Sequence, residues 1–218
     1  MRFKDRTDAG RQLAEELKKY KRRKDVRLFA LPRGGVVTAA EISKELGMPF
    51  DVIVTRKVGS PSNPEYALGA LAETGETIWN DETECAEYPK QKIDDIVRSE
   101  MKEAARRVKL FRGGRPLPDL TDQTVIIIDD GIATGASMRA CVVAAEHQGA
   151  KKVIVAVPHG AKETIDLMRM DGIEVIALKE PFIYSAVGSF YETFHQTQDD
   201  EVRRLLDQYG PEGTEWKK

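Results

Sequence analysis

Residues 125–137 read Val-Ile-Ile-Ile-Asp-Asp-Gly-Ile-Ala-Thr-Gly-Ala-Ser, and this stretch holds the chain's most specific chemical pattern. The apolar, β-branched run from Thr124 to Ile128 suits a strand buried on both faces. Its end presents two adjacent carboxylates, Asp129 and Asp130, followed by a turn of small and hydroxyl-bearing residues. Gly135 can adopt a backbone conformation that side chains disfavour. The amides of Ala133, Thr134, Gly135, Ala136 and Ser137 open a helix and can converge on an anion, assisted by the helix dipole. Thr134 and Ser137 add hydroxyl donors. Carboxylates beside an anion cradle suit a ligand that carries vicinal hydroxyls and a phosphate, and a ribose 5-phosphate meets both demands.

Two basic segments extend the pattern. In Leu31-Pro32-Arg33-Gly34-Gly35, the glycines allow backbone amides close to an oxyanion, and Arg33 can fork onto phosphate oxygens. Taken alone, Arg-Gly-Gly equally describes a plain turn. Arg56-Lys57 falls at the expected end of a second strand, where it could be a surface pair or a phosphate contact. An acidic strand end could also belong to a Walker B element, but the chain has no G-x-x-x-x-G-K-[ST] partner. The three histidines, His147, His159 and His195, lack the spacing of a zinc site.

These residues need elements to position them. Val26 to Leu31, Phe50 to Thr55, Thr124 to Ile128, Val153 to Val157 and Ile173 to Leu178 read as strands. Val36 to Leu46, Ala136 to Gln148 and Lys162 to Met170 read as the intervening helices, with Gly47 and Gly149 as stops. Such alternation predicts right-handed crossovers and a mostly parallel sheet, with ligand sites beyond the strands' carboxyl ends, after Leu31, Thr55, Ile128 and Val157. Between Val58 and Asn80 a Gly/Pro/Ser/Asn-rich loop precedes a hairpin about Thr74-Gly75. Apolar positions from Ile93 to Phe111 predict a long amphipathic helix over 89–111. An aromatic tail after Pro181 ends in a helix over Asp199 to Tyr209.

Composition narrows the class. The 218 residues are 41% hydrophobic and 32% charged, enough for one buried core, and neither repeats nor low-complexity linkers divide residues 1–218. The net charge of -2 supplies no global field for nucleic acid, and the basic run Lys18 to Lys24 reads as a solvated helix end. The two cysteines, Cys85 and Cys141, cannot build a disulfide framework, so a reducing cytoplasm is the expected setting. No apolar run reaches the roughly 20 residues of a membrane helix.

The segment from Val125 to Ser137 resembles the binding signature for phosphoribosyl pyrophosphate (PRPP) in type I phosphoribosyltransferases. That signature is an apolar strand, two acids, three variable positions, Thr-Gly, one residue, then Ser or Thr. The opening Phe3-Lys4-Asp5-Arg6 with Ala9, Gly10 and Leu13, and the late Ala186-Val187-Gly188 with Tyr191, Phe194 and Gln196, extend the likeness across nearly the whole chain. They resemble a bacterial and archaeal group of this family whose substrate is unassigned. The resemblance implies an α/β fold with a parallel twisted sheet, flanking helices, a flexible hairpin loop and a small hood from 181–218 and the N-terminal region. It implies a Mg2+-dependent transfer of the 5-phosphoribosyl group from PRPP to a nucleobase, releasing pyrophosphate.

Within that resemblance Asp129 and Asp130 would hold the ribose hydroxyls, directly or through Mg2+. Ala133 to Ser137 would wrap the 5'-phosphate, while Arg33, Gly34, Gly35, Arg56 and Lys57 would face the pyrophosphate. A cis peptide is expected at Pro32-Arg33. Phe182, Tyr184 and Tyr191 are expected to stack on the base. Relatives acting on 6-oxopurines place an aspartate where this chain has Ala133, which cannot transfer a proton, so Glu65 and Glu73 of the loop become the acid/base candidates. No nucleic acid or membrane partner is expected, and the family's habits leave room for a homodimer. A regulator that senses PRPP or a nucleotide on the same fold, with little turnover, would show the same strands and acids.

Overall fold

The computed structural model describes residues 2–64 and 66–211, which leaves Glu65 outside it. Five strands form a parallel sheet: β1 (Val26–Ala30), β2 (Phe50–Val52), β6 (Thr124–Ile128), β7 (Lys152–His159) and β8 (Glu174–Lys179), in the order β2-β1-β6-β7-β8. A second, antiparallel sheet holds β3 (Thr55–Gly59), β4 (Ala67–Ala72) and β5 (Thr77–Trp79). The helices are α1 (Arg6–Glu16), α2 (Gly34–Leu46), α3 (Glu82–Ala86), α4 (Lys90–Arg112), α5 (Ala136–His147), α6 (Lys162–Met170) and α7 (Asp199–Tyr209).

Alternation along the central strand divides the core. Ile126 and Ile128 pack with Leu13 of α1, Ile42 and Leu46 of α2 and Leu206 of α7. Val125 and Ile127 face the other way, onto Cys141 of α5, Ile165 and Met168 of α6 and Ala70 of β4. Both faces of β6 are therefore dry, which is why every residue from Val125 to Ile128 is apolar. The sheet runs outward from β1 to β2 on one side and from β6 through β7 to β8 on the other. Chains leaving the carboxyl ends of β1 and β6 thus diverge and open a crevice between them.

The second strand ends earlier than its hydrophobicity predicts. Rather than running from Phe50 to Thr55, β2 stops at Val52 and the chain crosses into the antiparallel sheet. The amide of Ile53 still donates to Ala30 O at 3.1 Å. The next amide, of Val54, finds a side chain instead: it donates to Glu73 Oε1 at 2.8 Å, and the amide of Glu73 returns a bond to Val54 O at 2.9 Å. Glu73 thereby satisfies the backbone where one sheet hands over to the other.

Glu73 cannot be the loop acid/base its sequence position suggested. Its carboxylate is buried against the guanidinium of Arg112 at the end of α4, which also donates to Val52 O at 3.1 Å and Arg115 O at 2.8 Å. The hairpin about Thr74-Gly75 is present as β4 and β5 but pairs with β3, so the sheet has three strands. The short α3 was not foreseen from periodicity; Asp81 caps it by accepting from the Thr83 amide at 2.8 Å.

The segment expected to form a hood, 181–218, divides between the main core and the N-terminus. Val202 and Leu206 of α7 belong to the main core. The segment near Tyr191 instead pairs with the N-terminus: the Phe3 amide donates to Phe190 O at 2.8 Å, and the Glu192 amide to Phe3 O at 2.8 Å. Residues 212–218 lie outside the described chain. No described helix is long and apolar enough to cross a membrane.

Glu73→Gln preserves the acceptor for Val54 but leaves the Arg112 charge buried and uncompensated. We expect it to lower the unfolding free energy by about 3 kcal/mol, measured by urea titration. A loss below about 0.5 kcal/mol would mean that water or another acceptor neutralises Arg112.

Candidate functional site

The crevice between β1 and β6 brings the two sequence motifs into contact. The Leu31 amide donates to Ile128 O at 3.0 Å, so the ladder runs to the mouth of the site. The Pro32–Arg33 peptide is cis, as expected, and Arg33 immediately precedes α2 without a side-chain capping bond. The two glycines then pass against the acids. A Cβ on Gly34 would lie 2.0 Å from Asp130 Oδ2, and one on Gly35 would lie 2.8 Å from Ile128 O and 2.9 Å from Asp129 Oδ1. Any side chain at either position would displace a carboxylate, which gives the Gly-Gly pair a steric reason beyond that of a turn.

Asp129 and Asp130 are oriented differently. Asp129 Oδ1 accepts the Asp130 amide at 2.8 Å. Dense surroundings and the neighbouring Asp130 charge push the Asp129 carboxyl well above the usual range. Asp130 is buried, and Arg6 of α1 donates from Nε to its Oδ2 at 2.6 Å. The same guanidinium donates from Nη1 to His195 O at 2.7 Å and lies 3.9 Å from the centroid of Phe194. The Tyr191 hydroxyl donates to Asp130 O at 2.5 Å.

Beyond the acids the chain is pinned by the neighbouring strand. The Ile132 amide donates to His159 O at 3.0 Å, and the Ala161 amide to Ile132 O at 2.9 Å. The Thr164 hydroxyl donates to Ala133 O at 2.6 Å. Gly135 takes a left-handed φ of 80° and introduces α5. Ala133 and Thr134 are exposed and Ser137 is half-exposed. Among the described residues the amides of Ala133 to Ser137 have no backbone acceptor, which is the condition of an open helix start.

The basic candidates divide. Arg33 stands at the crevice, half-buried, with Nη1 3.4 Å from Asp199 Oδ1 of α7. Arg56 and Lys57 do not end a core strand; they lie within β3, opposite Leu71 and Ala70. There Arg56 donates to Glu100 Oε2 of α4 at 2.7 Å, and Lys57 is exposed.

The aromatic candidates divide as well. Tyr191 is 3% exposed, with Phe3, His159 and Phe194 around its ring, so both its faces and its hydroxyl are engaged in the fold rather than offered to a base. Tyr184 is half-buried and stacks on Phe190 at 4.9 Å. Phe182 is 87% exposed beside Lys162.

Sequence reasoning missed Arg6 and His159. Arg6 meets its partner from the far end of the chain, and no local pattern signals such a pair. His159 ends β7, close to the Val157 edge that the strand rule marked. It is fully buried against Gly131, its Nδ1 is 2.8 Å from the Tyr184 hydroxyl, and its Nε2 has no partner. Burial, then the Lys179 charge, lowers its pKa to about 4.

Because its folded pKa lies below the ordinary value of about 6.5, His159 is neutral in the fold while the unfolded chain takes up a proton first. Its contribution is intact above pH 6.5 and is lost as pH falls toward 4, by about 3 kcal/mol in all. His159→Gln should therefore flatten stability against pH over that window. Parallel curves for native and variant protein would refute the assignment.

Comparison with known proteins agrees with this geometry. A family model described as "Phosphoribosyl transferase domain" matches residues 3–189. Two Mycobacterium tuberculosis proteins, "Putative phosphoribosyl transferase MT0597" (strain CDC 1551 / Oshkosh) and its counterpart Rv0571c (strain ATCC 25618 / H37Rv), are each 42% identical over 206 residues. The match covers 94% of this chain and 46% of theirs, so the chain spans about half the length of the curated relatives it matches. The crystal structure of TT1426 from Thermus thermophilus aligns with a TM-score of 0.79 at 36% identity, covering 97% of this chain and 100% of that one. The chain belongs to the phosphoribosyl transferase domain family.

Proposed function

We propose that this chain transfers the 5-phosphoribosyl group from PRPP to a nitrogenous base. The observation that carries the reading is the convergence of Asp129 and Asp130, the Gly34-Gly35 loop and the open amides of Ala133 to Ser137 on one crevice. In this reading the acids accept hydrogen bonds from the ribose 2'- and 3'-hydroxyls, and the turn wraps the 5'-phosphate. Pyrophosphate lies over Arg33, Gly34 and Gly35, with Arg56 and Lys57 approaching from β3. Tyr184 and Phe182 border the base.

The reaction breaks the bond from C1 to the pyrophosphate oxygen, which leaves with the electron pair. A base nitrogen donates its lone pair to C1, and its proton passes to solvent. The chain's part is to position and to stabilise charge: Arg33 and the loop amides face the departing oxygens, and the carboxylates face a sugar that turns cationic. Ala133 cannot move a proton, and Glu73 is engaged with Arg112 and the Val54 amide, which disfavours 6-oxopurines as acceptors.

The acid pair also fits Mg2+. Adjacent carboxylates, one of them pushed toward its neutral form by burial and its neighbour, gain from a cation. Among the described residues no group of three or more His, Cys, Asp or Glu side chains could cage a metal. That donor set suits an ion held by Asp129 or Asp130 and completed by water and substrate oxygens. When bound, Mg2+ would neutralise the pyrophosphate leaving group.

Asp130→Asn should weaken PRPP binding at least tenfold in calorimetry with Mg2+ present, about the value of one charge-assisted hydrogen bond, while the circular dichroism spectrum is retained. Equal affinity in variant and parent would remove the acids from the sugar site. Pyrophosphate release across a panel of bases separates transfer from sensing: tight PRPP binding with no release for any base supports a regulator.

A further inference from the structure

Asp130 is the residue on which the proposed sugar site turns, and it is not free to orient itself. One of its oxygens, Oδ2, is enclosed twice over. Arg6 Nε lies 2.6 Å away, and the Gly34 backbone passes so near that a Cβ there would stand 2.0 Å from the oxygen and 3.1 Å from Arg6 Nε. Both side chains of the pair are 11% exposed. The guanidinium is fixed on its other edges by His195 O at 2.7 Å and by the face of Phe194 at 3.9 Å. Asp130 is gripped at its main chain too, through the Tyr191 hydroxyl.

We infer that Arg6 is a positioning residue of the sugar site, one that holds the Asp130 carboxylate by Oδ2 so that Oδ1 is presented to the ligand. The inference rests on the reading of Asp130 as a sugar-binding residue and deepens it. A carboxylate in an open crevice rotates, and ordering it on binding costs affinity. Here that cost is met in advance, because a planar donor with several N–H groups clamps one oxygen while its remaining edges are held by a carbonyl and a ring.

The clamp has a second consequence. Arg6 begins α1, while His195 and Phe194 lie in the segment that pairs with Phe3 and Lys4. Loss of the Arg6 contact to either Asp130 or His195 O should therefore loosen the segment around residues 190–196.

The experiment is a double-mutant cycle read by calorimetry with ribose 5-phosphate and Mg2+, together with hydrogen exchange of residues 190–196. Arg6→Gln alone should weaken the sugar phosphate about tenfold. Arg6→Gln with Asp130→Asn should be no weaker than Asp130→Asn alone, because Arg6 acts only through Asp130. Arg6→Lys keeps the charge but cannot hold Asp130, His195 O and Phe194 together, so it should recover only part of the loss. Both Arg6→Gln and Asp130→Asn should speed exchange over 190–196.

Additive losses would overturn the inference by making Arg6 an independent phosphate contact. Tighter binding in Arg6→Gln would overturn it by making Arg6 a competitor for the acid. If native protein binds ribose 5-phosphate but exchange over 190–196 is the same in all variants, the clamp between layers is wrong and the sugar reading stands. If native protein shows no heat with ribose 5-phosphate, the sugar reading itself fails.

Discussion

The contact between the Gly34-Gly35 start of α2 and a pair of carboxylates governs this structure. Gly34 and Gly35 leave β1 while Asp129 and Asp130 leave β6, and the two chains meet at distances that exclude any Cβ. That approach is possible because the sheet order reverses between these strands, which sends their following helices to opposite faces. The acids cannot spread apart to relieve their mutual repulsion, since the loop stands against them and β7 holds the turn behind them. The Asp129 carboxyl carries the consequence, displaced upward by burial and by Asp130. On the proposed transfer reading, such a crevice suits hydrogen-bond donors and positive charge beside Asp129, while Arg6 already pairs with Asp130.

The rest of the fold keeps that contact in register. β6 supplies rigidity by burying both faces, so its end does not drift. The antiparallel sheet is attached through Glu73 and Arg112, a buried pair that satisfies the backbone amide freed where β2 stops. A surface pair would contribute little to such a joint, because solvent screens it. With each side chain almost fully covered, breaking either partner strands a charge, and the joint holds. Arg56 and Lys57 ride on this sheet, so their placement follows from that joint rather than from the parallel sheet.

What the sequence made legible follows the range of each interaction. The run Thr124 to Ile128, the stop at Gly47 and the long amphipathic helix were readable because burial and caps act over a few residues. The site motif was readable because its acids, amides and hydroxyls are consecutive. The break after Val52 was not, since it depends on Glu73, which arrives only after β3 and β4. The same holds for Arg6 and Tyr191, whose shared partner, Asp130, is remote from both in sequence. The family likeness makes Tyr191 a stacking candidate and Glu73 a loop acid/base candidate; each is engaged in the fold, the one on Asp130 O and the other on Val54 and Arg112. Aromatic and acidic side chains serve cores and sites alike, and only tertiary contacts separate the two uses.

The layer above the acids carries the chain's individuality. His159, Tyr184, Phe190 and Phe3 form a contiguous stack under this layer, with a neutral imidazole at its centre. Its neutrality is imposed by burial and by Lys179, so the stack can rest beside the acid pair without adding a positive charge that would compete with Arg6. Tyr184 and Phe190 are the half-buried members of this group, and Tyr184 is anchored through its hydroxyl as well as its ring. Selectivity for an acceptor would then be set by a rigid aromatic edge rather than by a titrating side chain at position 133. On the proposed transfer reading, that arrangement suits an acceptor recognised by shape and stacking.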